Sequence, residues 1–265
     1  MVKKSGLPNY IGARIPIETT LNIDFLTSAL QGYEDEVIVE FFKFGWPINN
    51  ISDPKCANRF CGNHKSATSN PKAIQKFVKK GLADNSIMGP LNDIPFSKFV
   101  VSPLGSVPKT DSSERRTIMN LSYPKGSSVN DVIPKDSYLG HSFHLRYPGV
   151  DQLIELIKLK GQGCALFKRD LKSAYRQLLR VDPGDIPWLG FSWNGKFYFD
   201  LTHPQGGRSA AMCCQRSSSG IIYIFKSLNP SNEATNYLDD LAGEKSGNML
   251  IGHMLSWAKC WKMQT

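Results

Sequence analysis

The sequence predicts an α+β protein in which an antiparallel sheet packs on helices, and three patterns predict it. Ile74, Phe77, Val78 and Leu82 fall on one face of a helix, with Lys72, Lys76, Lys79 and Lys80 at other positions. Short apolar runs at Phe99-Val100-Val101, Thr117-Ile118-Met119 and Cys164-Ala165-Leu166-Phe167 read as strands. In the stretch 236–243 Asp239 and Asp240 interrupt a largely apolar run, which suggests the tip of a β-hairpin.

The elements follow in chain order. Residues 1–70 read as an N-terminal extension with two short helices, the second around Glu36 to Phe44 and stopped by Gly45 and Pro47. Residues 49–70 are polar and rich in turn formers, the mark of a linker or long loop. Asn70-Pro71 provides an N-cap and a proline at the first helical position. The polar stretch from Lys109 to Glu114 separates two extended segments and is expected to be a hairpin tip. A helix is expected from an Asp151 N-cap to Lys160, ended by Gly161. The run 164–167 reads as a buried strand leading directly to Asp170. Further helices are expected after Gly206-Gly207 and from Met249 to Trp261, where Leu250, Met254, Trp257, Ala258 and Trp261 form a core-facing stripe.

Composition narrows the function classes. At 265 residues, with 41% hydrophobic and 21% charged, the chain is globular in character and can bury a sizeable core. A net charge of +9 suits a polyanionic partner, because neutralised phosphates release counterions. Between Lys55 and Lys80 the chain carries seven Lys or Arg and no acid, a pattern shared by a solvated face and by a phosphate-tracking surface. Neither a signal-peptide core nor the ~18-residue apolar run of a membrane span is present, so a soluble intracellular protein is expected. Six irregularly spaced cysteines point to free thiols; Cys56, Cys61 and His64 offer three zinc ligands where four are needed.

The chemistry is carried by acids. Asp170 ends one apolar run, and Asp239 and Asp240 interrupt another. Carboxylates at the ends of adjacent strands are costly unless a cation neutralises them. Hard oxygen donors favour Mg2+, and two such ions ~3.5–4 Å apart activate a hydroxyl and stabilise a leaving oxygen. An Asp-Asp pair alone is more often a solvated turn, so its companions in order along the chain carry the weight.

Those companions resemble the reverse transcriptases. Tyr237-Leu238-Asp239-Asp240 is similar to the family's Tyr-x-Asp-Asp signature, and Asp170 matches its first catalytic aspartate. Tyr175 matches the aromatic that bars a ribose 2′-hydroxyl, and His203-Pro204-Gln205-Gly206 resembles the next motif. Lys109 and Arg116 match the residues that grip the incoming triphosphate, as a point charge and a planar fork suit phosphate contacts; Arg115 remains open beside Arg116. Ser102-Pro103-Leu104, Leu121-Ser122-Tyr123-Pro124, Ser128-Val129-Asn130-Asp131, Gly12-Ala13-Arg14-Ile15-Pro16 and Phe44-Gly45-Trp46-Pro47 are similar to DIRS-like retrotransposons, which also encode a tyrosine recombinase.

The resemblance covers nearly the whole chain and implies a right-hand polymerase fold with fingers (71–135 and 180–209) and palm (136–179 and 210–265), the thumb missing. It implies RNA-directed DNA synthesis with two Mg2+, Mn2+ substituting, held by Asp170 and Asp239 with Asp240 as the third carboxylate. Lys109, Arg116, Leu171, Tyr175 and Gln205 would bind nucleotide, and the partners would be an RNA or DNA template-primer and dNTPs. Asn120, Gly207 and Ala210-Ala211 depart from the family's pattern. Only 25 residues follow Asp240, so the thumb and RNase H regions are expected downstream if they exist. The rival readings are a non-catalytic nucleic-acid-binding remnant and an RNA-templated RNA polymerase, which the behaviour of Tyr175 would separate.

Overall fold

The computed structural model describes residues 14–50, 58–110, 112–145, 147 and 150–245. In chain order come α1 (Ile23–Ala29), α2 (Ile38–Phe44), β1 (Arg59–Phe60), α3 (Lys65–Thr68), α4 (Pro71–Ala83) and β2 (Ile87–Leu91). There follow β3 (Val100–Val101), β4 (Leu104–Pro108), β5 (Arg115–Met119), β6 (Ser137–Tyr138), β7 (His141–Ser142) and α5 (Val150–Lys160). The last are β8 (Ala165–Asp170), α6 (Ala174–Leu178), β9 (Gly190–Trp193), β10 (Lys196–Asp200), α7 (Ala210–Leu228), β11 (Ala234–Tyr237) and β12 (Asp240–Lys245). The chain divides into two units. Of the described residues, those within 14–44, 139–179 and 212–245 form the first, and those within 45–138 and 180–211 form the second.

The first unit is built on a three-stranded antiparallel sheet, order β11-β12-β8. Helix α7 packs on one face, with Phe225 5.5 Å from the Phe167 ring and Leu241 buried between strand and helix layers. The segment 14–44 belongs to this unit and is no separate extension. Arg216 of α7 grips Asp35 through two hydrogen bonds of 2.7 Å, and the Tyr223 hydroxyl donates to the Gln31 carbonyl at 3.0 Å. Ile38, Phe41 and Phe42 of α2 are buried, and each such side chain contributes about 1.5–3 kcal/mol.

Strand β8 corrects the buried-strand expectation. It lies at the sheet edge and is mostly exposed, Leu166 by 51%; only Phe167, the residue facing α7, is partly covered. A four-residue apolar run does not by itself say how many neighbours a strand has. Helix α5 starts at Val150, so Asp151 lies inside its first turn, where a negative charge suits the helix dipole. Gly161, with φ +80°, ends the helix as expected, its N–H bonded to the Ile157 carbonyl.

The second unit carries a five-stranded sheet, order β1-β3-β9-β10-β2, in which β1, β3 and β9 run parallel and the other pairs antiparallel. Helix α4 buries Ile74 and Val78 among Ile87, Val100, Leu104 and Phe191, with Phe77 and Leu82 partly buried beside them, the face its periodicity predicts. Pro71 opens that helix, but the Asn70 side chain donates to the Ser66 carbonyl and does not cap it.

The stretch 49–70 is more than a loop. It contains β1 and α3, and Ala67 is fully buried. Asn63 accepts from the Leu104 N–H and donates to the Ser192 carbonyl, both at 2.8 Å, so a polar residue there completes the backbone pairing of neighbouring strands. Gly45 marks the junction before this unit. Its φ is +97°, and a Cβ added there would lie 2.6 Å from the Asp182 N and Val181 O, which leaves no space for a side chain. That approach lets the Trp46 N–H bond to the Arg180 carbonyl at 2.7 Å.

Cys61, Cys164, Cys213 and Cys214 are free thiols; Cys56 and Cys260 lie outside the described residues. His64 pairs with the Asn120 amide at 3.0 Å. The expected helix from Met249 to Trp261 also lies outside the described residues. Among the described residues no helix is long and apolar enough to cross a membrane.

Candidate functional site

The acids meet at one end of the β11-β12-β8 sheet. Asp170 and Asp240 are Cα partners in the β8–β12 ladder, and the Leu171 N–H donates to the Asp239 carbonyl at 2.9 Å. That bond makes Asp170 and Asp240 a non-hydrogen-bonded pair, the kind whose Cα atoms stand ~4.5 Å apart with side chains close on one face. Tyr237 pairs with Asp240 across the hairpin, and Leu238 and Asp239 form its two-residue turn. The hairpin tip expected at Asp239-Asp240 is therefore present, with Asp170 beside it.

Leu238 holds φ at +52°, a left-handed conformation that costs a branched residue on the order of 1–2 kcal/mol. Two polar contacts from α7 hold this hairpin. The Gln215 side chain accepts from the Leu238 N–H at 2.8 Å, and the Asn236 amide donates to Ser218 Oγ at 2.7 Å. Gln215 and Asn236 are both buried. Sequence reasoning missed Gln215, because nothing in its neighbourhood marks it apart from an ordinary helical polar residue. Gly243, further along β12, allows the close strand approach: an added Cβ would lie 2.4 Å from the Glu233 carbonyl oxygen.

Tyr175, on α6, is half-buried next to this end. Burial raises its hydroxyl pKa well above the usual value, and Cys214 and the negative charge of Asp239 add to the effect. The hydroxyl donates to the Cys214 sulfur, whose own pKa burial and Asp239 push up to about 12. Cys214 is thus a neutral thiol between helix and aromatic ring. The ring of Tyr147 lies 4.8 Å from that of Tyr237, both well exposed.

Around the carboxylates the charge balance is uneven. Lys168 Nζ lies 3.0 Å from Asp240 Oδ1. Among the described residues no three His, Cys, Asp or Glu side chains stand close enough to hold a metal ion. The backbone brings Asp170, Asp239 and Asp240 together, but their carboxylates do not form a ready cage. Like charges placed opposite each other in a ladder repel, and Lys168 draws one of them along the strand. The donor chemistry nonetheless fits a divalent, oxygen-seeking cation: three carboxylates at one sheet end, with one ammonium paired to them.

The remaining expected residues lie in the second unit. Lys109 and Glu114 close the β4–β5 hairpin, the Lys109 N–H bonded to the Glu114 carbonyl at 3.0 Å. Since Val107 pairs with Arg116, alternation puts Lys109 and Arg116 on the same face of that hairpin. Glu114 binds Lys109 Nζ at 2.6 Å and also Lys76 of α4; these two lysines depress its pKa to about 2. Arg115 turns to Ser106, bonding its Oγ at 2.9 Å and its carbonyl at 2.8 Å, whereas Arg116 is exposed. Of the two arginines left open by spacing, Arg116 is the one presented to solvent.

Gln205 is exposed on the loop before α7. Asn130 pins that loop, donating to the Gly206 carbonyl at 2.9 Å and accepting from the Arg208 N–H at 2.8 Å. A capping box between Ser128 and Asp131 fixes Asn130 itself. His203 lies buried at the other end of the motif, its Nε2 3.0 Å from the Trp46 carbonyl. Burial lowers its pKa to about 4, so the neutral ring donates that hydrogen bond.

No protein-family model matches the chain, and no curated protein is similar to it in sequence. Solved structures are similar. The foamy viral protease-reverse transcriptase in complex with dsDNA superposes with a TM-score of 0.55 at 15% identity, over 95% of this chain and 50% of that one. A selenomethionine-labelled CSH mutant of the Prototype Foamy Virus protease-reverse transcriptase gives a TM-score of 0.55 at 15% identity, over 92% of this chain and 31% of that one. The chain thus spans half or less of the length of these proteins. What the likeness shows is the fold: this chain has a reverse-transcriptase-like α+β fold.

Proposed function

We propose that the chain is an RNA-directed DNA polymerase of a DIRS-like retrotransposon, joining a dNTP to a primer 3′-hydroxyl with release of pyrophosphate. The observation that carries this reading is the in-register pair Asp170 and Asp240, with the Asp239 carbonyl bonded to Leu171, at one sheet end of a reverse-transcriptase-like fold. Asp170 and Asp239, with Asp240 as the third carboxylate, would hold two Mg2+, for which Mn2+ substitutes. When bound, such ions activate the attacking hydroxyl and stabilise the leaving oxygen.

The chain's own residues supply binding and orientation. Lys109 would neutralise phosphate charge as a point charge, and exposed Arg116 would grip phosphate oxygens with its planar fork. The half-buried Tyr175, its hydroxyl neutral, would set a ring edge against the sugar and exclude a 2′-hydroxyl. Leu171 and Gln205 would contact the nucleotide. The net charge of +9 favours an RNA or DNA template-primer as partner.

Primer extension on an RNA template with Mg2+ tests the reading. Wild type extends with dNTPs, and Asp239→Ala is expected to fall on the order of a hundredfold or more. Equal extension by both removes the assignment. A second reading, nucleic-acid binding without catalysis, is favoured by the engagement of Asp240 with Lys168. Salt-sensitive binding with no nucleotide incorporation would support it.

A further inference from the structure

We propose that Lys168 is a built-in counter-ion: its ammonium holds the Asp240 carboxylate, and a divalent cation must displace it to gain that ligand. The inference rests on the reading of Asp170, Asp239 and Asp240 as cation ligands.

Register produces the contact. In the β8–β12 ladder Asp170 opposes Asp240 and Lys168 opposes Ala242, so all four side chains lie on one face of the sheet. Ala242 places only a methyl group opposite Lys168, and the lysine stem extends past it to the diagonal acid. The pair closes at 3.0 Å, with the lysine side chain 68% exposed and the aspartate 43%. A solvated pair of this kind is weak and exchanges readily. It therefore compensates one of two opposed carboxylates while leaving a more highly charged ion able to take its place. Because Lys168 is two residues from Asp170 on the same strand face, its charge also opposes a cation bound there.

Both effects of Lys168 have the same sign. Removing the ammonium removes a competitor for Asp240 and removes a repulsive charge near the cation. Screened Coulomb interactions at such distances, together with the loss of the pair, amount to roughly tenfold tighter divalent binding. If Lys168 instead held Asp240 in its ligating rotamer, removal would loosen binding.

Mn2+ titration of the full chain, followed by the EPR signal of free Mn2+, tests this on wild type, Lys168→Met, Lys168→Arg and Asp170→Asn. Lys168→Met is expected to bind Mn2+ on the order of tenfold tighter, with Lys168→Arg near wild type. Without metal, Lys168→Met is expected to melt at a lower temperature, and saturating Mn2+ to close that gap. Unchanged or weaker Mn2+ binding by Lys168→Met, with Asp170→Asn abolishing binding, overturns the counter-ion role alone. Wild-type binding that survives Asp170→Asn overturns the cation-site reading, and this inference with it. Lys168→Arg retains a cation at the position, so a gain seen in both variants points to altered packing and also overturns the proposal.

Discussion

Lowering the pH should loosen the segment Trp46-Pro47-Ile48 from one side while tightening it from the other, because two displaced titrating groups hold it. His203 donates to the Trp46 carbonyl, and Asp185 accepts from the Ile48 N–H at 2.8 Å. Burial shifts both toward their neutral forms: His203 from 6.5 down to about 4, Asp185 from 3.8 up to about 6. Between pH 4 and 6 unfolded His203 is protonated and the folded ring is not, so this group's contribution is lost as pH falls. Over the same window folded Asp185 is protonated and the unfolded one is not, so its contribution is lost as pH rises. One pKa unit is worth about 1.4 kcal/mol, and each displacement spans a little over two units, so each group contributes about 3 kcal/mol over its window.

In wild type the two slopes nearly cancel. Asp185→Asn keeps an acceptor for Ile48 and unmasks the histidine, so stability should rise with pH by about 1 kcal/mol per unit from 4 to 6, relative to wild type. His203→Gln keeps a donor for Trp46 and unmasks the aspartate, so stability should fall by a similar amount per unit. Urea unfolding at half-unit pH steps measures both. Parallel profiles for wild type and the two variants would rule out this linkage.

Other consequences follow from single contacts. Gln215→Ala leaves the Leu238 N–H without its buried acceptor and should cost about 1–3 kcal/mol in urea unfolding. Gly243→Ala places a methyl group 2.4 Å from the Glu233 oxygen and 2.8 Å from the Phe167 ring, so a loss above about 2 kcal/mol is expected in the same assay. Arg115→Ala should destabilise by about 1–2 kcal/mol through its lost bonds to Ser106, while exposed Arg116→Ala should leave stability within about 0.5 kcal/mol and weaken dNTP binding, measured by fluorescence titration. A reversed outcome would mean that the exposed guanidinium is the structural one.

Local pattern made part of this architecture readable. Helix α4 followed from its apolar spacing, and the β4–β5 and β11–β12 hairpins followed from polar tips between apolar runs. What pattern could not show was pairing between distant residues. The exposure of β8 depends on which strands lie beside it, and four apolar residues carry no record of that. The contact of Lys168 with Asp240 depends on register, since a shift of one residue would send the lysine to the opposite face. Gln215, Asn130 and Asn63 look like surface polar residues in the sequence. They act because each satisfies a backbone group far along the chain. The segment 14–44 joins the first unit through the Asp35 carboxylate and the Gln31 backbone carbonyl, groups to which apolar periodicity is blind.

Anomalous diffraction from crystals soaked in Mn2+ would examine the acidic sheet end itself. A peak is expected within about 2.2 Å of carboxylate oxygens from both Asp170 and Asp239, with Lys168 released from Asp240. Peaks confined to other acids, with Asp170 and Asp239 binding nothing, would contradict the cation-site reading.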